Sequence, residues 1–186
     1  MRLILGSASP RRLDLLAQIA IAPAEVRPAD IDETPIKDET PRAYVRRLAV
    51  AKAEAITLQT GEVVLCADTT VALGRRIMEK PRDRAEAEKF LTLLSGRRHQ
   101  VITGVAVRSN DRLIHRAVMT RVAFKRIADI EMKAYLDSNE WQGKAGGYGI
   151  QGRAAALIPS INGSYSNVVG LPLAETAAML SGFGIR

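Results

Sequence analysis

The sequence predicts a mixed fold, α/β or α+β, in which strand-like and helix-like segments follow one another along the chain. Continuous apolar runs such as Val63 to Ala67 are typical of buried strands, and several other segments open on the capping residues of helices. A length of 186 residues, 47% of them hydrophobic, is enough for a sizeable core. We therefore predict one domain over residues 1–186, divided into two lobes with a seam near Pro81, where an apolar strand gives way to a charged helix.

The first half of the chain predicts two helices that open on a capping residue followed by proline. Arg2 to Gly6 is expected to form a strand, and Ser9-Pro10 to start a helix. The face of that helix expected to be buried carries Leu13, Leu16, Ala17 and Ala20. Thr40-Pro41 gives the same signal for a helix that runs to about Gln59.

The second half predicts further strands and helices around a glycine-rich loop. Asp83 and Glu86 have capping-box spacing and predict a helix through Leu94. We further expect a hairpin of residues 101–107 and 113–124, a helix over 129–136, a loop over 143–152, a strand over 154–158, and a helix from Pro172 to about Gly182.

Composition excludes several classes of protein. Apolar runs are far shorter than the roughly 20 residues that span a bilayer, and the N-terminus lacks the apolar stretch of a signal peptide. Cys66 is the only cysteine, which excludes an intramolecular disulfide and suits a reducing compartment. We therefore expect a cytoplasmic protein that does not act at a membrane.

The formal net charge is +7, which indicates an anionic partner. The arginines are scattered along the chain rather than clustered, and few aromatic residues are available to stack on bases. A specific nucleic-acid partner is therefore not expected, and a solvated basic surface explains many of these cations.

Arg11 and Arg12 lie in the first turn of the first predicted helix, where cations oppose the helix dipole. Free backbone N–H groups, the Ser7 and Ser9 hydroxyls and two guanidiniums describe an anion site suited to phosphate. The alternative is that two surface arginines are tolerated at a helix end.

Two further positions are candidates for chemistry. Lys52 falls on the predicted inner face of its helix, because it shares a helical stripe with Val45, Leu48 and Ile56. Its ammonium then needs a phosphate or carboxylate partner, unless it reaches past the apolar side chains to solvent. Asp68 follows the apolar run 63–67, so we expect it at the carboxyl end of a strand, where α/β sheets place ligand sites.

An acidic cluster of Asp30, Asp32 and Glu33 offers oxygen ligands for a divalent ion, although a plain acidic loop explains it equally well. His99 and His115 are too far apart for a helical metal pair, and we expect His99 to be structural.

The segment Gly147 to Gly152 matches the pattern G-x-G-x-x-G of dinucleotide-binding proteins. It follows a predicted loop rather than a strand, and no acidic residue lies about 20 positions further on. The glycines are better explained as positions where the backbone approaches a ligand closely.

Together these segments carry a resemblance to one family. They are Ser7-Ala8-Ser9-Pro10-Arg11-Arg12, Ala67-Asp68-Thr69, Glu79-Lys80-Pro81, Leu94-Ser95-Gly96-Arg97, Thr103-Gly104, Lys144 to Gly152, and Gly170-Leu171-Pro172. In this order and over nearly the whole chain, the sequence resembles the Maf proteins, which are nucleoside triphosphate pyrophosphatases. The resemblance implies a bilobed α/β fold of the Maf/Ham1 (ITPase-like) type, a mixed sheet with flanking helices and a central nucleotide-binding cleft.

The resemblance also implies a reaction and a set of residues. A nucleoside triphosphate is cleaved at its α–β bond to a monophosphate and pyrophosphate, with a divalent cation, Mg or Mn, as cofactor. Asp68 is implied as proton acceptor, with Glu33 and Asp68 at the metal. The residues implied at the phosphates are Ser7, Arg12, Lys52 and Lys80.

Three positions resemble the branch of the family that acts on dTTP and UTP: Arg11, Thr69 and Gln151. The Gln151 amide offers both a donor and an acceptor, which matches the N3–H and O4 edge of uracil and thymine. Because the family is also named for septum formation, the alternative is a nucleotide-responsive binding or regulatory protein. The resemblance further suggests a homodimer.

Overall fold

The computed structural model describes residues 1–185 of the chain, and in this range strands and helices follow one another as the sequence predicts. The seven strands among these residues are β1 (Arg2–Leu5), β2 (Glu25–Val26), β3 (Glu62–Leu73), β4 (Arg76–Met78), β5 (Arg98–Arg108), β6 (Leu113–Ala123) and β7 (Ser160–Asn162). The helices are α1 (Pro10–Gln18), α2 (Pro41–Ala55), α3 (Arg84–Leu94), α4 (Asp129–Asp137), α5 (Tyr165–Val169) and α6 (Leu173–Ser181), with 3-10 turns at Ala145–Gly147 and Arg153–Leu157.

All the strands belong to one mixed sheet. Its order is β2-β1-β3-β5-β6-β7, and β4 pairs with β3 beside this path. Strand β1 runs parallel to both β2 and β3, with Leu3 opposite Val63, whereas the β3–β4 and β6–β7 pairs are antiparallel. The α/β prediction is confirmed by this sheet and its helices.

The described chain divides into two compact units. The first comprises Met1–Asp68, Thr103–Val118 and the chain from Gly170 onward, and the second comprises Thr69–Ile102 and Met119–Val169. Pro81, near which the sequence predicts the seam, lies inside the second unit. The division passes through the continuous strands β3, β5 and β6, where the composition of the chain does not change.

The starts of α2 and α3 follow from their capping residues. Thr40 Oγ1 accepts the Ala43 N–H at 3.3 Å, and Asp83 Oδ1 accepts the Glu86 N–H at 2.8 Å. Both bonds satisfy backbone donors that a helix start leaves without a partner. Helix α2 ends at Ala55, four residues before the predicted end, because Ile56 already has extended backbone angles.

Three local predictions are wrong. Asp68 does not follow a strand but lies in the middle of β3, because the strand continues through Thr69 and Thr70 to pair with β4. Where a strand was predicted over 154–158, the chain forms the 3-10 turn Arg153–Leu157, since a short apolar run does not distinguish the two. The buried residues of α1 are Leu15 and Leu16, whereas Ala17 is exposed, as is Ala20 after the end of the helix.

Each unit has its own core. In the first unit the apolar side of α2 packs with β1 and β3 in a cluster of Ile4, Ala49, Ala53, Ile56, Val64, Cys66 and Ala106. A Cβ added to Gly104 on β5 would lie 2.1 Å from the Val45 carbonyl oxygen, so the backbones of α2 and β5 meet there. Burial raises the pKa of the Cys66 thiol to about 12, consistent with a packing role.

The core of the second unit is formed by α3, α4 and the glycine-rich segment, and includes Phe90, Leu91, Phe124, Trp141 and Tyr148. Within residues 1–185, no helix has both the length and the apolar character required to cross a bilayer.

Candidate functional site

Lys52 lies between two carboxylates in the first unit. Its Nζ is 2.7 Å from Asp68 Oδ1 and 2.7 Å from Glu33 Oε1. The side chains of Lys52 and Asp68 are only 11% and 12% exposed, whereas that of Glu33 is 46% exposed. The predicted inner position of Lys52 is confirmed, because Val45, Leu48 and Ile56 of its stripe are buried. The sequence left open whether Lys52 meets a phosphate or a carboxylate, and in the structure two carboxylates contact its ammonium.

Asp68 is held in a mixed electrostatic environment. Burial raises its pKa, whereas the Lys52 ammonium, which also donates a hydrogen bond, and the Arg12 guanidinium lower it. Glu33 adds a smaller effect that raises the pKa of Asp68. A buried carboxyl with a raised pKa, whose oxygen contacts a cation, is suited to accepting a proton.

Arg12 is fixed against Ser7 and Gly170. Its Nη1 donates to Ser7 Oγ at 2.7 Å, and its Nε donates to the Gly170 carbonyl oxygen at 2.9 Å. The spacing of Arg12 with Leu15 and Leu16 places the guanidinium on the inner face of α1, and burial lowers its pKa. A preorganised cation next to a serine hydroxyl at a helix start is the arrangement expected of an anion site.

Arg11 differs from Arg12. It is half-buried, and its Nε is shielded from solvent and has no hydrogen-bond partner. A buried N–H group without a partner costs free energy, which a ligand acceptor would recover. The Arg11 side chain therefore has an unused donor.

Glu33 is positioned by residues that the sequence analysis did not single out. The Tyr44 hydroxyl donates to the Glu33 carbonyl oxygen at 3.0 Å, and Arg47 Nη2 donates to the Thr34 carbonyl oxygen at 3.1 Å. Tyr44, Leu48 and Lys52 are four residues apart along α2, so helical spacing was the available signal for Tyr44. No local signal points to Gly170, which is far from Arg12 in sequence.

The remaining predicted site residues belong to the second unit. Thr69 is half-buried in β3, directly after Asp68, while Lys80 and Gln151 are exposed. The structure thus assembles Ser7, Arg12, Glu33, Lys52 and Asp68 in one unit.

His99 and Tyr148 form a buried pair in the second unit. His99 Nε2 lies 2.6 Å from the Tyr148 hydroxyl, and both rings make edge contacts with Phe124. His99 is 2% exposed, and burial lowers its pKa to about 4. These contacts support the structural role expected for His99.

The donor set of the first unit fits a hard divalent cation. Glu33 and Asp68 converge on one positive charge, that of Lys52, and both present carboxylate oxygens. Among residues 1–185, no group of three or more His, Cys, Asp or Glu side chains gathers around one point. Two carboxylates are sufficient for Mg²⁺ when water and substrate phosphates complete the coordination.

Comparison with known proteins identifies relatives of this chain over its whole length. A family model described as Maf-like protein matches residues 2–183. A protein of Cereibacter sphaeroides named dTTP/UTP pyrophosphatase is 59% identical over 185 residues, covering 100% of this chain and 96% of that protein. A protein of Caulobacter vibrioides with the same name is 54% identical over 186 residues, covering 99% of this chain and 96% of that protein.

Among solved structures, a HAM1 protein from Coxiella burnetii is similar with a TM-score of 0.55 and 18% sequence identity. The match covers 98% of this chain and 99% of that one, and it shows a shared fold. Because the family model matches residues 2–183 of its 186 residues, the chain belongs to the Maf family.

Proposed function

We propose that this chain is a nucleoside triphosphate pyrophosphatase that acts on dTTP and UTP and releases a nucleoside monophosphate and pyrophosphate. The observation that carries the proposal is the contact of Lys52 with Asp68, next to the Arg12 and Ser7 anion site. The names of relatives at 54% and 59% identity support the same reaction and substrates.

Arg12 and Ser7 bind the triphosphate in this proposal. The guanidinium is already oriented by the Gly170 carbonyl oxygen, so little side-chain entropy is lost when phosphate oxygens approach. Lys52 and Lys80 contribute further positive charge against the phosphates. Preorganised cations of this kind stabilise the charge that develops on the phosphoryl oxygens.

Asp68 accepts the proton of the attacking water. The water oxygen forms a bond to phosphorus, the bridging P–O bond of the α–β anhydride breaks, and the bridging oxygen leaves with one of the two products. Lys52 opposes the effect of burial on Asp68, because the ammonium lowers the pKa that desolvation raises.

Glu33 and Asp68 are the residues that would hold a divalent cation, Mg²⁺ or Mn²⁺. When bound, the cation supplies neutralisation of negative charge on the phosphates. Tyr44 contributes by holding the backbone of Glu33 in place.

Base selection is assigned to Arg11, Thr69 and Gln151. The exposed Gln151 amide offers a donor and an acceptor, the complement of the uracil and thymine edge, whereas cytosine presents the reversed pattern. Uracil and thymine differ by one methyl group, worth about 1 to 3 kcal/mol in a pocket, so one site is expected to accept both.

The test is a triphosphate panel of dTTP, UTP, CTP, GTP, 7-methyl-GTP and ATP with Mg²⁺ or Mn²⁺, with the products resolved by chromatography. Monophosphate and pyrophosphate from dTTP and UTP are expected. Asp68→Asn should lose about 100-fold or more in kcat and still bind nucleotide, while Asp14→Asn on the exposed side of α1 serves as the matched control. Full activity of Asp68→Asn refutes the base, and nucleotide binding without any cleavage by the wild type favours a regulatory protein.

A further inference from the structure

Gln151 lies in a tight turn that has a glycine at each end. The Gly152 N–H donates to the Gly149 carbonyl oxygen at 3.1 Å, so residues 149–152 form a four-residue turn with Ile150 and Gln151 at its centre. Ile150 is 8% exposed, whereas Gln151 is exposed. The turn is therefore anchored through Ile150 and leaves the Gln151 side chain open to solvent.

Glu140 contacts the second end of this turn. Its Oε2 accepts the Arg153 N–H at 2.8 Å. A Cβ added to Gly152 would lie 2.0 Å from the same oxygen, so the carboxylate occupies the space that a side chain at position 152 would need. A hydrogen bond to a carboxylate is stronger than one between neutral groups, which favours a fixed backbone at this point.

Glu140 is also connected to the first end of the turn. Its carbonyl oxygen accepts from Lys144 Nζ at 2.5 Å. The Lys144 side chain in turn covers Gly149, where an added Cβ would lie 2.7 Å from Lys144 Cε. The neighbouring Trp141 is buried and donates through Nε1 to the Leu136 carbonyl oxygen at 3.2 Å, which anchors this part of the chain to α4.

We propose that Glu140 is a positioning residue for base selection, which fixes the turn Gly149–Gly152 and thereby the direction of the Gln151 amide. The inference rests on the proposed function, in which Gln151 reads the base. Discrimination between uracil and cytosine by one amide depends on geometry held to about 0.5 Å, so a looser turn admits both bases.

The first experiment compares Glu140→Ala with Glu140→Gln, which keeps an acceptor oxygen of similar reach. The matched control is Glu131→Ala, because Glu131 Oε2 also accepts a backbone N–H, that of Ala128 at 3.1 Å, but at the start of α4. For each variant, kcat and KM are measured with UTP and with CTP, together with the melting temperature.

In Glu140→Ala we expect the UTP-to-CTP ratio of kcat/KM to fall about tenfold, chiefly through a higher KM for UTP. The ratio should stay within about twofold of wild type in Glu140→Gln and in Glu131→Ala. An equal loss with both nucleotides in Glu140→Ala, leaving the ratio unchanged, overturns the inference.

The second experiment uses Gly152→Ala, whose methyl group displaces the Glu140 carboxylate. In the wild-type background this variant should lower the UTP-to-CTP ratio as Glu140→Ala does. In the Glu140→Ala background it should add little, because the clashing oxygen is gone, and such non-additivity is typical of groups in contact. If the two substitutions change the UTP-to-CTP ratio independently, so that their effects multiply in the double variant, the contact between Glu140 and Gly152 is contradicted.

Hydrogen exchange of the amides of residues 149–153 separates this inference from the proposed function. Glu140→Ala should raise their exchange rates about tenfold or more, with no change in Glu131→Ala. Unchanged exchange rates in Glu140→Ala overturn the claim that Glu140 fixes the turn. A wild-type protein that cleaves no nucleotide overturns the proposed function and the link to base selection, whatever the exchange result.

Discussion

Replacement of Lys52 by methionine tests the central contact of the candidate site. Methionine keeps the length of the apolar stem on the inner face of α2 but removes the charge that lies 2.7 Å from Asp68 Oδ1. At this distance and an effective dielectric constant of about 20, the attraction is about 6 kcal/mol. Desolvation of both groups offsets much of it, and removal of one partner of a buried pair costs about 3 to 5 kcal/mol.

We expect Lys52→Met to lower the free energy of unfolding by about 3 kcal/mol near pH 8, at the lower end of that range because Asp68 relieves its burial by taking up a proton. The contact with Glu33 adds little, since that side chain is 46% exposed and exposed pairs contribute below about 1 kcal/mol. The matched control is Lys133→Met, which removes an i,i+4 pair with Asp137 whose lysine is 76% exposed, and we expect a loss below about 0.5 kcal/mol.

The cost of Lys52→Met depends on pH in a defined direction. Burial raises the pKa of Asp68, and loss of the ammonium raises it further because Lys52 is the largest influence that lowers it. A carboxyl with a raised folded-state pKa contributes stability that is present at low pH and is lost as pH rises through that pKa. The gap between wild type and variant should therefore be smaller near about pH 5 than near about pH 8.

Urea denaturation at both pH values, followed by circular dichroism, measures this gap. The acidic limb of the pH profile of kcat/KM should move to higher pH in the variant, for the same reason. A loss below about 1 kcal/mol near pH 8, or a loss that does not change with pH, refutes the assignment of Lys52 and Asp68 as a coupled buried pair.

Three other predictions concern the two cores. Tyr148→Phe should lower the free energy of unfolding by about 1 to 2 kcal/mol, measured by urea denaturation, because it leaves buried His99 Nε2 without its partner at 2.6 Å. An unchanged free energy of unfolding argues against that hydrogen bond. Gly104→Ala should lower the free energy of unfolding by about 3 kcal/mol or more, because its Cβ would lie 2.1 Å from the Val45 carbonyl oxygen. An unchanged melting temperature rules out this close approach. Burial lowers the pKa of His99 from 6.5 to about 4, so the wild type should lose about 3 kcal/mol as pH falls through that range. A His99→Asn variant should show a flatter acid dependence in the same titration, and an equally steep one excludes His99 as the cause.

Features with short-range causes were predictable from sequence. The starts of α2 and α3 were confirmed, because Thr40 and Asp83 bond to backbone groups three residues away. The inward direction of Lys52 was confirmed for a similar reason, since it depends only on the 3.6-residue period of α2. The family was confirmed because its motifs occur in order over nearly the whole chain.

The wrong predictions concern features that residue type and helical period do not decide. The polar residues Thr69 and Thr70 suggested that β3 ends before them, yet the strand continues through them, and its residues 71–73 pair with β4. In α1, the sequence placed Ala17 on the buried face with Leu16, whereas the buried residues are Leu15 and Leu16.

The candidate site shows the same division between local and distant causes. Residue types and their order along the chain were enough to identify the family, and with it the residues expected at the phosphates and the metal. The contacts of Arg12 with Gly170, and of Lys52 with Glu33 and Asp68, depend on where the folded chain brings distant segments. Helical periods and caps act over three or four residues. A contact between distant segments closes a long loop of the chain, which costs conformational entropy, and packing of the cores offsets that cost. These contacts are therefore properties of the tertiary structure.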